Sequence, residues 1–150
     1  MRKFHYTHAH RIDAILSDGL IKPATKMLDP GERPAVWISG NPFWEYTVCC
    51  MTPWSLLSYI GLWRIEIMPD AAPVHWTNFR RQAGMSNRTA KFLERSAIAI
   101  GASPLDWYAS FDPIPRDKWV AVERMIETPD SYNWISAHGA MSLNDSRKNA

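Results

Sequence analysis

Most of the reactive side chains in this chain do not fall into a spacing with a known chemistry. The histidines lack the repeated pairs of a zinc site, since His8-x-His10 stands alone, and we predict no metal. Cys49 and Cys50 are adjacent, where a disulfide would be strained, so we interpret both as reduced. The chain also lacks a G-x-S-x-G nucleophile elbow, a P-loop and a G-x-G-x-x-G fingerprint. What remains is a histidine near the start, several tryptophans and several glutamates.

The N-terminal stretch predicts a strand, a turn and an amphipathic helix. Lys3 to Thr7 carries alternating aromatic and β-branched residues, which is typical of a strand. Ile12, Ile15 and Leu16 lie at i, i+3 and i+4 and would form one apolar stripe on a helix. Gly19 follows that stripe, where a left-handed C-cap favours a residue without Cβ. We expect the rest of the chain to be organised around the strand that carries the histidine.

Three segments, taken in order, resemble a known superfamily. They are Phe4-His5-Tyr6-Thr7, Ile15-Leu16-Ser17-Asp18-Gly19-Leu20 and Val36-Trp37-Ile38-Ser39. With them the chain resembles the ADP-ribosyltransferase superfamily, in the branch with a His-aromatic-Glu arrangement that includes diphtheria-type and DNA-modifying toxins. It is also similar to small bacterial and phage-type proteins with the same order of segments. The resemblance implies an α+β fold with split mixed or antiparallel sheets, flanking short helices and a cleft for NAD.

The activity implied by this resemblance is transfer of ADP-ribose from NAD to a macromolecule, either protein or nucleic acid, or else hydrolysis of NAD. NAD would then be a co-substrate, and its cleavage passes through an oxocarbenium-like transition state. One alternative is a non-catalytic binding or inhibitor protein of phage or mobile-element origin, which uses the fold to bind a partner or a nucleotide. Another is an RNA phosphotransferase, which would need basic residues in the cleft that we do not assign.

The first strand would hold NAD if the resemblance extends to function. His5 matches the histidine that holds the adenine-side ribose in this superfamily, and the backbone of Tyr6 and Thr7 would lie near the nicotinamide amide. The competing interpretation of His5 is a strand histidine that only forms a hydrogen bond with the neighbouring strand.

The ring wall against nicotinamide would come from the next predicted strand. Trp37 stands where the superfamily often has tyrosine, and Ser39 would contact the ribose or the catalytic glutamate. Tryptophan keeps the stacking surface of tyrosine but loses its hydroxyl. Trp37 is equally compatible with a place in the core, and Trp44 is the substitute candidate for the wall.

Three glutamates compete for the catalytic carboxylate. Glu123 lies on a late strand, where the resemblance implies this residue, and Glu45 and Glu66 are the substitutes in that order. The competing interpretation of Glu123 and of Glu66 is an ion pair at the surface. Ala121 stands two residues before Glu123, so the paired acid found in many arginine-directed transferases is missing, which argues against arginine as the acceptor.

Five basic residues follow the middle of the chain and are candidates for binding phosphate or nucleic acid. Three of them recur at i, i+3 and i+7 and would share a helix face. Such a run is more often a solvated helix surface. The candidates are Arg80, Arg81, Arg88, Lys91 and Arg95.

The composition predicts one domain in a cytoplasmic protein. With 150 residues and a net charge of +2, the chain is long enough for its own core but not basic enough to indicate nucleic-acid binding by charge alone. No signal peptide and no long apolar run occur, so we expect no contact with membranes. Residues 1–137 would form the domain, and 138–150 a polar, poorly ordered tail.

Alternation and turn residues give the remaining elements. Strands are predicted at 35–39, 62–68, 106–111, 119–125 and 132–136, and helices at 43–51, 78–83 and 87–100. Within the fourth of these strands, Trp119, Ala121, Glu123 and Met125 are expected on one face. Strands interspersed with helices, with antiparallel pairing at the end, predict an α+β domain.

Overall fold

The computed structural model describes residues 1–49, 61–127 and 132–137. The predicted tail at 138–150, the segment 50–60 with Cys50, and residues 128–131 lie outside the described residues. The nine described strands are β1 Lys3–His8, β2 Leu20–Ile21, β3 Val36–Ser39, β4 Leu62–Ile67, β5 Val74–His75, β6 Trp107–Ser110, β7 Ile114–Pro115, β8 Trp119–Glu127 and β9 Tyr132–Ser136. The four described helices are α1 Ala9–Asp18, α2 Tyr46–Cys49, α3 Trp76–Ala83 and α4 Asn87–Ala99.

The prediction of an α+β domain is confirmed. Seven of the described strands form one sheet in the order β5-β6-β3-β1-β4-β8-β9, and β2 pairs with β7 in a small second sheet. Every pairing among these strands is antiparallel. The pairing is shortest in the middle of the sheet. There β1 and β3 pair only at Phe4 and Ser39, whereas β1 and β4 pair along six positions.

Successive side chains of a strand point to opposite faces of the sheet, so the register assigns each residue to a face. We call the face that carries Tyr6 and Arg64 the front and the face that carries His5 and Ile65 the back. Helix α1 covers the back, where its Ile12 packs in one core cluster with Ile65. Gly19 ends this helix with φ of 65°, as the sequence predicts.

Helices α3 and α4 cover one half of the front. Trp37 lies on the front two residues from Ser39, and its ring centroid is 4.4 Å from that of Phe79 on α3. Trp76, Trp107 and Ala90 belong to the same core cluster. The sequence predicts both helices, although α3 begins two residues earlier than expected and α4 ends one residue sooner.

One predicted face is wrong. Trp119 pairs with Ile67 and Ala121 pairs with Glu66, so β8 carries one extra residue, Val120, opposite a single step of β4. Such a bulge shifts the alternation of the strand. Trp119 therefore packs in the core behind the sheet with Ile67, while Ala121 and the residues that follow it keep the expected alternation.

The predicted helix at 43–51 is described only as the short helix α2, Tyr46–Cys49. Asn41 accepts hydrogen bonds from the backbone N–H groups of Phe43 and Trp44, so it caps a turn before the helix. Residues 50 and 51 of the prediction lie outside the described part of the chain.

Candidate functional site

A row of polar side chains crosses three strands of the front face. Tyr6 on β1 lies opposite Arg64 on β4, and Arg64 lies opposite Glu123 on β8. Directly opposite residues in an antiparallel pair share a face and lie about 4.5–5.5 Å apart. We call these three residues the polar row.

Arg64 is the centre of this row and is only 4% exposed. Its Nε donates a hydrogen bond of 2.6 Å to Oε2 of Glu123, and its Nη1 donates to the carbonyl of Pro42. The guanidinium also lies 4.5 Å from the ring centroid of Phe4 and 4.3 Å from that of Trp134. Planar arginine suits such a position, because it stacks on rings and forms directed hydrogen bonds at its edge.

A loop covers the polar row from above. We call residues 41–45 the roof loop. The hydroxyl of Tyr6 donates to the carbonyl of Asn41 over 2.5 Å, and Nε1 of Trp134 donates to the carbonyl of Phe43 over 3.1 Å. Glu123 keeps 17% of its side-chain area exposed, so it is less buried than Arg64.

The two substitute glutamates are engaged elsewhere. Glu66 accepts two hydrogen bonds of 2.8 Å from Arg2, and these hydrogen bonds lower the pKa of Glu66. Its ion-pair partner is therefore Arg2. Glu45 is buried in the roof loop, where its carboxylate accepts from the hydroxyl and the backbone N–H of Thr47 at the start of α2.

His5 lies on the back of the sheet, opposite Ile65 and not in the row with Glu123. Its Nδ1 is 3.0 Å from the carbonyl oxygen of Trp37, so Nδ1 carries the proton and donates to that carbonyl. This hydrogen bond spans the place beyond the Phe4–Ser39 pair where β1 and β3 no longer pair, which we call the opening between β1 and β3. Burial lowers the pKa of His5, and the nearby Arg11 adds to the effect. The imidazole is therefore neutral at pH 7, which matches the interpretation of His5 as a strand histidine.

The remaining residues predicted for NAD lie in the core or at its edge. The ring of Trp37 packs between Phe79, Trp76 and Trp107, with centroids 4.4–6.5 Å away. Three further candidates have structural contacts. Ser39 is buried and accepts from the N–H of Asn41, Thr7 is buried opposite Trp63, and Trp44 packs in a cluster with Leu62 and Trp134.

The structure therefore separates what the sequence predicts as one cleft. Trp37 and His5 touch through the Trp37 carbonyl, but the Trp37 ring and the His5 ring leave the sheet on opposite sides. Glu123 lies on the front, two strands from β1. Sequence reasoning missed Arg64 as the centre of the polar row. The only signal for it in the sequence is that an arginine occurs in a strand that otherwise carries mostly apolar residues.

The five predicted basic residues are exposed on α3 and α4. Arg80 and Lys91 line a groove between these helices, whereas the other three candidates do not. In the described part of the chain, no group of three or more metal-ligating side chains could hold a metal, and no helix is long and apolar enough to span a membrane.

Comparison of this chain with protein-family models, with curated proteins and with solved structures finds no match.

Proposed function

We propose that this domain acts as a non-catalytic binding protein. The observation that carries the proposal is that all three candidate carboxylates are held by groups of the protein itself. Glu123 is bound to Arg64, Glu66 to Arg2 and Glu45 to Thr47. Each of the three carboxylates accepts a hydrogen bond from the protein, and Glu123 and Glu66 are also paired with a cation.

The chemistry of ADP-ribosyl transfer explains why this matters. A carboxylate near the ribose must stabilise positive charge that develops as nicotinamide leaves. A guanidinium 2.6 Å from Glu123 offsets that negative charge, and so weakens any stabilisation of a second cation beside it. The separation of His5 and Glu123 by the sheet argues in the same direction, because one NAD molecule would have to contact both.

A second candidate is NAD-dependent ADP-ribosyl transfer to a protein or nucleic acid, or hydrolysis of NAD. The opening between β1 and β3 favours it, because these strands pair at a single position and His5 lies where they separate. In this candidate NAD enters the opening, His5 holds the co-substrate and Glu123 approaches the ribose from the front.

A nicotinamide-release assay with NAD, paired with titration calorimetry, distinguishes the two candidates. The binding-protein proposal expects no release of nicotinamide above a blank. Incubation with labelled NAD and cell extract should likewise leave protein and nucleic acid unlabelled. Steady release or transfer of label would overturn the proposal and favour the transferase.

Variants test which residues would act in the second candidate function. If NAD is consumed, Glu123→Gln should lower kcat by about 10²–10³, the usual loss for one well-placed electrostatic group. His5→Ala should instead weaken NAD binding. Asp13→Asn removes an exposed carboxylate on α1 and serves as the matched control, with no expected change. Turnover that survives Glu123→Gln would point to Glu45 as the next residue to replace.

A further inference from the structure

The helical side of the domain contains a groove of ligand size. It lies between α3, α4 and the turn Pro104–Asp106, with a volume of about 500 Å³. Small-molecule sites usually measure about 300–1,000 Å³. The groove is separate from both the polar row and the opening between β1 and β3, because none of their residues lines it.

The apolar part of the groove has one buried side and one side exposed to solvent. Trp76 forms its buried wall, and its Nε1 donates to Glu94 over 2.8 Å. A hydrogen bond of 2.8 Å between Nε2 of His75 and the carbonyl of Leu105 fixes the turn. Ile98 and Leu105 line the same groove and are 65% and 67% exposed, so two large apolar side chains offer their surface to an occupant.

The charged part of the groove is cationic. Arg80 on α3 and Lys91 on α4 both line it, and neither has an ion-pair partner among the described residues. Glu94 is the acidic residue of the lining, and its Oε1 is occupied by the indole of Trp76. Two free cations beside exposed apolar side chains complement a ligand with an anionic group and an apolar body.

We propose that this groove binds a small organic anion with an apolar body. The anionic group lies between Arg80 and Lys91, and the apolar body lies against Ile98 and Leu105. The inference gives the binding-protein proposal a ligand class, but it does not depend on whether NAD is consumed. A failure of either one is therefore visible without the other.

The probe is 8-anilinonaphthalene-1-sulfonate, followed by fluorescence titration and by amide chemical shifts. Wild-type protein should bind one equivalent saturably, with the largest shifts on α3, α4 and the turn at 104–106. N-phenyl-1-naphthylamine, which has the same rings without the sulfonate, should bind about tenfold more weakly, the loss expected for a charge-assisted contact. Equal affinity for the two probes would overturn the proposal.

Matched variants test the cations. The double variant Arg80→Met with Lys91→Met should weaken the sulfonate probe by about tenfold or more and leave the neutral probe unchanged. Arg81→Met with Arg95→Met removes the same charge from the same two helices outside the groove and should change little. If both double variants weaken binding equally, general electrostatic attraction is the cause and the site is wrong.

A second pair of variants tests the apolar part of the groove. Leu105→Ser should weaken both probes severalfold, because it removes apolar surface inside the groove. Phe92 is 68% exposed on α4 and does not line the groove, so Phe92→Ser should leave both affinities unchanged. Binding that depends on Phe92 and not on Leu105, or shifts confined to the sheet, would contradict the proposal.

Discussion

The two halves of the front face cover the same sheet in opposite ways. Over β5, β6 and β3 the cover is an aromatic cluster beneath α3, and Phe79 at its centre is 1% exposed. Over β1, β4 and β8 the cover is the polar row beneath the roof loop, and Arg64 at its centre is also buried, at 4% exposed. One half excludes water with rings, and the other does so around a buried charge.

This difference indicates that an apolar cover could stabilise the fold at least as well as the polar row does. Burying an ion pair loses hydration that the attraction between the charges often fails to restore, and apolar replacements are frequently as stable or more so. Trp37 and Phe79 are an apolar solution that the same sheet already uses. Stability alone therefore does not explain the charges of the row.

The largest expected effect lies in the aromatic half. Phe79→Ala should lower the free energy of unfolding by about 3–5 kcal/mol, since it removes a fully buried ring and leaves a cavity among Trp37, Trp76 and Phe111. Urea unfolding measures the loss. Phe92→Ala, at an exposed position of α4, is the control and should stay within about 0.5 kcal/mol. A loss below about 1 kcal/mol for Phe79→Ala would mean that this half is loosely packed.

A somewhat smaller effect is expected in the polar half. Arg64→Met leaves Glu123 without its partner, and we expect a loss of about 2–4 kcal/mol. The double variant Arg64→Met with Glu123→Leu should recover most of that stability, because no charge is then left unpaired. Urea unfolding of wild type, Arg64→Met, Glu123→Leu and the double variant forms a double-mutant cycle.

The outcome of this cycle bears directly on the comparison of the two halves. If the double variant is as unstable as the single variant, the ion pair stabilises the fold. Stability alone would then explain the charges of the row.

Local features of the fold could be predicted from the sequence, and long-range ones could not. The stripe of Ile12, Ile15 and Leu16 and the glycine after it fix α1, and alternation fixes β4. The pairing of Arg64 with Glu123 joins residues 59 positions apart, so it depends on a register that no local pattern contains. The bulge at Val120 has no local signal either, and it moves Trp119 to the other face.

The candidate site follows the same division. Sequence reasoning finds Glu123 and Tyr6 individually, because residue type and strand position are local properties. It cannot know that Asn41 forms a roof over Tyr6, since this contact joins a turn to a strand 35 residues away. It also assigns Trp37 to a cleft or to the core with equal weight, because a tryptophan on a central strand suits both.

A smaller effect is expected at α4, which packs against the aromatic cluster of the front face. Ser86 caps α4 by accepting a hydrogen bond of 3.1 Å from the N–H of Thr89, whereas His8, at the N-cap position of α1 on the back, forms no side-chain cap. Ser86→Ala should lower the free energy of unfolding by about 1 kcal/mol. Ser96→Ala, at an exposed position in the same helix, should be close to neutral. Equal effects of the two variants would mean that the cap adds nothing to the aromatic half.

The smallest expected effect is a pH dependence at the boundary between the halves, where His5 lies. Burial lowers the pKa of His5 in the folded protein, whereas the unfolded chain has the ordinary value of about 6.5. Below pH 6.5 the unfolded state therefore binds a proton that the folded state does not, so stability falls as the pH decreases through this window.

Asn can still donate to the Trp37 carbonyl but does not titrate, so His5→Asn should lose less stability than wild type between pH 7.5 and 5.5. Ser96→Ala, at an exposed position of α4 without a titratable group, is the control and should keep the wild-type slope. Thermal unfolding across this pH range measures the difference, and an unchanged slope for His5→Asn would mean that this imidazole is protonated without loss of stability.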